Sequence, residues 1–198
     1  SLFKNKHMGI TEFLSKKVGK KNNEVMLIYN KELSVSPITT HIPLDQVTKK
    51  INYINIVKKI KIINKFYKKN FKRKPYFGIL GLNPHNYYKS KKSKEKKMIE
   101  KTMKNLNKIK IKAKGPISPD SSFVIFKKYK FDVLVGMYHD QVLSPFKTLY
   151  NFDAINITLG LPFMRVSPDH GVAQDIMGKK IANPKSLIQS IKFFNNIK

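Results

Sequence analysis

The sequence predicts an α/β fold with a largely parallel sheet. Short apolar runs of strand length alternate with longer amphipathic stretches, the order that builds strands covered by helices. Several of those runs are apolar at consecutive positions, as strands buried on both faces are. Leu, Ile, Val and Phe supply 61 of the 198 residues, about 31%, far above the level of under ~20% that marks disorder.

In chain order, Glu24 to Tyr29 (EVMLIY) reads as a strand, and Leu33 to Thr40 (LSVSPITT) as a second. A helix follows Pro43, with Asp45 as its N-cap and Val47, Ile51, Ile54, Lys58 and Lys61 opening a helical periodicity. Farther along the same helix, Ile56, Ile60, Ile63 and Tyr67 share one face, and lysines lie mostly opposite. Tyr76 to Leu82 is an apolar run of strand length, followed by a polar, lysine-rich loop. From about Ser93 a helix carries Ile99, Thr102, Met103, Leu106 and Lys110 at the 3–4 spacing, and Gly115-Pro116 breaks it. Ser122 to Tyr129 is a further short element, Phe131 to Met137 and Ala154 to Leu159 are strands, and a last helix begins near Pro184.

The formal net charge is +28, which suggests a nucleic-acid partner. Two details weaken that reading. Only Arg73 and Arg165 are arginines, the side chain whose planar fork serves base and phosphate recognition best. The chain is also rich in Ile and Asn and poor in Ala, so A/T-biased codon usage accounts for the lysines equally well. The charge is uneven as well. Residues 132–178 carry two basic and five acidic side chains, whereas residues 1–131 carry a net +26. Either that window is chemically committed, or it is simply the buried part of the fold, from which lysine is excluded. No apolar run reaches membrane-spanning length. Residues 1–20 hold five lysines and no unbroken apolar core, so they do not read as a signal peptide. Without cysteine there is no disulfide framework and no thiolate metal site, which agrees with a reducing compartment.

Three histidines close three apolar strands: His41 after SVSPITT, His85 after FGILGLNP and His139 after FDVLVGMY. In open α/β sheets the ligand crevice lies outside the carboxyl ends of the strands, so three imidazoles distant in sequence can meet there. Three neutral imidazoles make a metal site with one position open for water or substrate. No local ligand spacing such as HExxH accompanies them, and pattern alone favours three unrelated loop histidines. Asp140 either supports its neighbour His139 or caps a helix. Lys147 and Arg165, the only basic residues of the lysine-poor window, suit an anionic substrate group, with Asn156 near them in sequence.

Five stretches stand in one order: TTHIPL (39–44), GLNPH (81–85), GPISPDSSF (115–123), MYHDQ (137–141) and NITLGLPFMRVSPDHG (156–171). Together they resemble the 4-hydroxythreonine-4-phosphate dehydrogenase family of vitamin B6 synthesis, from about Gly9 to the carboxyl end. The resemblance implies an isocitrate/isopropylmalate dehydrogenase-like, three-layer α/β/α fold, incomplete at its N-terminus. Residues 1–155 would be the second domain, and residues 156–198 would return to a largely missing first one. It also implies a cytoplasmic homodimer with its active site in the cleft at the subunit interface. The family's metal ligands fall on His41, His85 and His139, for a divalent ion such as Zn, Mg or Co. Its substrate-binding residues fall on Thr11, Lys147, Asn156 and Arg165, with Asp140 in a catalytic role. The segment 169–184 resembles the adenosine-binding loop of the wider decarboxylating dehydrogenase group. By that likeness His170, Asp175 and Asn183 face NAD; the other reading of this segment is a tight turn before the last helix.

The implied reaction oxidises a small phosphorylated hydroxy amino acid, with hydride passing to NAD and the β-keto acid then losing carbon dioxide. Three departures stand out. The family's N-terminal portion is absent from this sequence. Ile10 replaces a substrate-binding histidine before Thr11. The family's Gly-rich, acidic loop after NPH is replaced by NYYKSKKSK. Two other readings compete: a non-enzymatic basic protein binding nucleic acid through residues 1–131, and an inactive remnant of the enzyme.

Overall fold

The computed structural model describes residues 10–19, 23–84, 94–171 and 173–197. Their elements are α1 (Ile10–Lys17), β1 (Val25–Tyr29), β2 (Ser34–Pro37), α2 (Leu44–Lys50), α3 (Tyr53–Asn70), β3 (Phe77–Leu80) and α4 (Lys94–Lys108), then β4 (Ala113–Ile117), α5 (Pro119–Tyr129), β5 (Val133–Gly136), α6 (His139–Tyr150), β6 (Ile155–Leu159), β7 (Arg165–Pro168) and α7 (Lys185–Asn196). A short 3-10 turn covers Gln174–Ile176. No described helix is long and apolar enough to cross a membrane.

The seven strands form one sheet in the order β4-β3-β5-β2-β1-β6-β7. Strands β2, β5, β3 and β4 pair in parallel, while the β1–β2, β1–β6 and β6–β7 pairs are antiparallel. The sheet is therefore mixed, not largely parallel. The reason lies in two short reversals. Residues 30–33 join β1 to β2, and residues 160–164 join β6 to β7, and connections this short permit only antiparallel pairing. In the second reversal Gly160 sits at φ +83, a conformation that favours glycine, with its α-carbon packed on the Asn23 carbonyl.

Side chains alternate between the two sheet faces and both faces are covered. Val25, Leu27, Phe77, Ile79, Val133, Val135, Ile155 and Ile157 pack with Ile56, Ile60 and Ile63 of α3, Leu106 of α4 and Phe193 of α7. Met26, Ile28, Val35, Leu80 and Leu134 pack on the other side with Phe126 of α5 and Val142 and Phe146 of α6. The face predicted for α3 is the buried one, Tyr67 included.

Other expectations change. The helix after Pro43 is two helices, because the chain is extended at Ile51 and Asn52 before α3 begins. Asn52 caps α3 by accepting the Asn55 N–H at 2.9 Å. Asp45 lies in the first turn of α2 and does not cap it; Pro43 holds that position. Gly115-Pro116 does not end α4, which stops at Lys108, but lies inside β4. Helices α1 and α6 and strands β4 and β7 had no counterpart in the sequence reading. Asp140 falls in the first turn of α6.

Candidate functional site

Because β2, β3 and β5 run in parallel, their carboxyl ends open on one edge of the sheet. The chain reaches His41 four residues after β2, and His139 as the first residue of α6. The rings of His41 and His139 stand 5.9 Å apart between centroids, tilted by 42°. An ion about 2.0–2.1 Å from one nitrogen of each ring would hold the two centroids up to roughly 6.4 Å apart, so the pair fits a shared ligand sphere. The Nδ1 of His139 lies 2.7 Å from a carboxylate oxygen of Asp140. That contact orients the ring and turns Nε2, rather than Nδ1, toward any ligand, an arrangement also found in metal-bound imidazoles. His85 lies outside the described residues, and among the described residues no group of three metal-ligating side chains converges.

A second cluster forms behind α6. In β6, Asn156 pairs with Ile28 and Ser167, and Thr158 pairs with Met26 and Arg165, so these polar residues share the sheet face on which α6 packs. Arg165 donates to the Thr158 hydroxyl at 3.1 Å. Lys147, in the last turn of α6, donates to the Asp169 backbone carbonyl at 3.2 Å and stands 3.5 Å from its carboxylate. Asp169 is itself held by α7, whose Ser186 hydroxyl accepts the Asp169 N–H at 2.8 Å and donates to the Ala154 carbonyl at 2.5 Å.

Burial raises the Asp169 carboxyl above its ordinary range, and the cation of Lys147, with His139 and His170, opposes that rise. One Asp169 carboxylate oxygen and the Asn156 side-chain oxygen are buried with no hydrogen-bond partner. Buried acceptors left unpaired are uncommon and mark positions where a ligand donor fits. Asp169 is the residue that sequence reasoning missed. It lies in the lysine-poor window, but the sequence reading singled out Asp140 and Asp175 there instead.

The remaining predicted residues are more scattered. Thr11 is buried in α1, and Ser15 of that helix donates to Glu24 at 2.6 Å, tying it to the start of β1. Ile10, in the histidine's place, is exposed. His170 and Asp175 are exposed, and the Asn183 side chain accepts the Lys185 N–H at the start of α7. A carboxylate accepts, and an imidazole and a carboxamide both donate and accept, so the three are of types that can meet a nucleotide's ribose and base. A groove of about 860 Å³ lies between α3 and residues 160–164. Lys58, Lys61, Lys65 and Lys69 line it together with Tyr53, with no carboxylate or imidazole.

Comparison with known proteins decides the family. The family model described as pyridoxal phosphate biosynthetic protein PdxA matches residues 3–194. The chain belongs to the PdxA family. A 4-hydroxythreonine-4-phosphate dehydrogenase of Sulfurihydrogenibium sp. is 43% identical over 188 residues, covering 94% of this chain and 58% of the relative. One from Aquifex aeolicus is 39% identical over 190 residues, covering 96% and 58%. The crystal structure of the Klebsiella pneumoniae 4-hydroxythreonine-4-phosphate dehydrogenase superposes with a TM-score of 0.82 at 30% identity, covering 100% of this chain and 61% of that one. An isocitrate dehydrogenase from Methylococcus capsulatus, at 13% identity and a TM-score of 0.61, shares the fold. The chain thus has the PdxA and isocitrate dehydrogenase type of α/β fold, and spans just under three fifths of the length of the curated relatives it matches.

Proposed function

We propose that this chain is the second-domain and carboxyl-terminal part of a metal- and NAD-dependent dehydrogenase of vitamin B6 synthesis. The substrate is 4-phosphooxy-L-threonine. Its oxidation gives 2-amino-3-oxo-4-phosphooxybutanoate, which loses carbon dioxide to form 3-amino-2-oxopropyl phosphate. The observation that carries the reading is the His41–His139 pair at the parallel strand ends, in a chain matched to the PdxA family along nearly its whole length.

In this reading His41, His85 and His139 hold a divalent ion, and His170, Asp175 and Asn183 face the adenosine half of NAD. Bound there, such an ion would supply Lewis-acid stabilisation of a developing alkoxide, and the nicotinamide would supply the hydride acceptor. The protein's own groups do the rest. Lys147 and Arg165 bind the phosphate or carboxylate through charge-assisted hydrogen bonds. The unpaired acceptors of Asn156 and Asp169 receive N–H donors of the substrate's ammonium group. Thr11 adds a hydroxyl contact. Asp140 orients the His139 ring and assists proton transfer from the reacting hydroxyl. The enzyme works as a cytoplasmic homodimer, with residues 156–198 returning to a first domain supplied by the longer protein.

The test is purified full-length protein with 4-phosphooxy-L-threonine, NAD and zinc or magnesium, followed at the NADH absorbance band. NADH formation that is lost in His139→Ala supports the reading. No NADH above background, with the metal shown to be bound, overturns it.

A further inference from the structure

Gln141 is the third residue of α6, and its side chain folds back off the helix toward the sheet edge. Its Oε1 accepts the Met137 backbone N–H at 2.7 Å, and its Nε2 donates to the Gly81 backbone carbonyl at 2.8 Å. Met137 directly follows β5 and stands two residues before His139. Gly81 directly follows β3 and stands four residues before His85. One carboxamide therefore clamps the exits of two neighbouring parallel strands, each leading to a histidine. The third exit is tied to the same point, because Thr39, two residues before His41, donates from its hydroxyl to the Met137 carbonyl at 2.8 Å.

The backbone is shaped around this side chain. A Cβ at Gly136 would come within 3.0 Å of the Gln141 Oε1 and 2.5 Å of Val142. Glycine at the end of β5 thus leaves room for the carboxamide to lie under the strand exit. A helix-capping role alone would require only the Met137 contact, since an N3 glutamine caps by reaching back to backbone N–H groups. The Gly81 contact crosses to another strand and does nothing for the helix end.

We infer that Gln141 is a positioning residue for the divalent-metal centre, fixing the β5 exit from which His139 projects beside His41. This rests on the reading of His41, His85 and His139 as ligands. Groups that hold metal ligands in place typically change affinity by roughly 10–100-fold when removed.

The experiment is cobalt(II) and zinc(II) titration of the full 198-residue chain, with visible absorption of the cobalt form and thermal melting of the metal-free form. The variants are Gln141→Met, which keeps the volume and removes both hydrogen bonds, and Gln141→Glu, which keeps the acceptor for Met137 and loses the donor to Gly81. The expected result is a loss of about 10–100-fold in metal affinity for both variants, with an altered cobalt spectrum and with Gln141→Glu melting near the wild type. Variants that melt lower but bind cobalt with wild-type affinity and spectrum overturn the inference and leave Gln141 a structural brace. Wild-type chain that binds neither ion, or binds them unchanged after His41→Ala, overturns the metal reading itself.

Discussion

At the residue scale, Asp169 shows what burial does to a site that sequence alone passes over. Its carboxyl is raised by desolvation and only partly compensated by Lys147. An acid whose folded pKa lies above its unfolded value of about 3.9 costs stability once ionised, and that cost grows as pH climbs from the unfolded toward the folded value. Asp169→Asn removes the titration. The melting temperature of the variant relative to the parent therefore rises as pH increases from about 4 toward neutrality, which paired melts in buffers of matched ionic strength will read. A flat difference across that range would mean that Asp169 titrates normally. The nearness of His41 and His139 was legible because each closes an apolar run. Asp169 was not, because its distinction comes from Ser186 of α7 and Lys147 of α6, contacts that sequence separation hides.

Elements were legible where local pattern and tertiary fate agree. Strands β1, β3, β5 and β6 and helices α3, α4 and α7 follow from apolar runs and 3.6-residue periodicity. Strand β7 did not, since its four residues are all only partly buried and carry Arg165. Helix α6 hid behind Pro145, which sits inside it, and behind a segment that reads as strand exit and loop. The split of α2 from α3 is set by one side chain. Asn52→Ala removes the α3 cap and is expected to cost about 1 kcal/mol. That corresponds to about 2–4 °C in melting temperature for a chain of this size. The β6–β7 reversal is more sensitive. An alanine Cβ at Gly160 would meet the Asn23 carbonyl oxygen at 1.9 Å, with the backbone already at φ +83. Gly160→Ala should fall at or beyond the upper end of the roughly 1–3 kcal/mol that forced overpacking costs, and denaturant unfolding will measure it.

For the whole molecule, the net charge of +28 is a weaker guide than the distribution of apolar surface. Helix α7 buries Phe193 but leaves much of its apolar surface outward. Its Ser186 and Ser190 are buried against the sheet, while Leu187, Ile188, Ile191 and Phe194 are 44–59% exposed. Met177 and Ile181, just before it, are exposed as well. Ordinary surface helices put their apolar stripe inward, and a contiguous outward stripe marks a covered face. The proposed return of residues 156–198 to a first domain supplies the cover, since burying the exposed half of each such side chain recovers roughly half of the about 1.5–3 kcal/mol that full burial is worth. Uncovered, the stripe should drive self-association of this chain. Sedimentation is expected to show mass rising with concentration, and an apolar-sensing dye should bind. Replacing Ile191 and Phe194 together by lysine should abolish both effects while leaving the circular dichroism unchanged, because neither side chain belongs to the core. A parent chain that stays monomeric and binds no dye at high concentration would remove the outward face of α7 as a docking surface, and with it the main physical support for assigning residues 156–198 to a second structural unit.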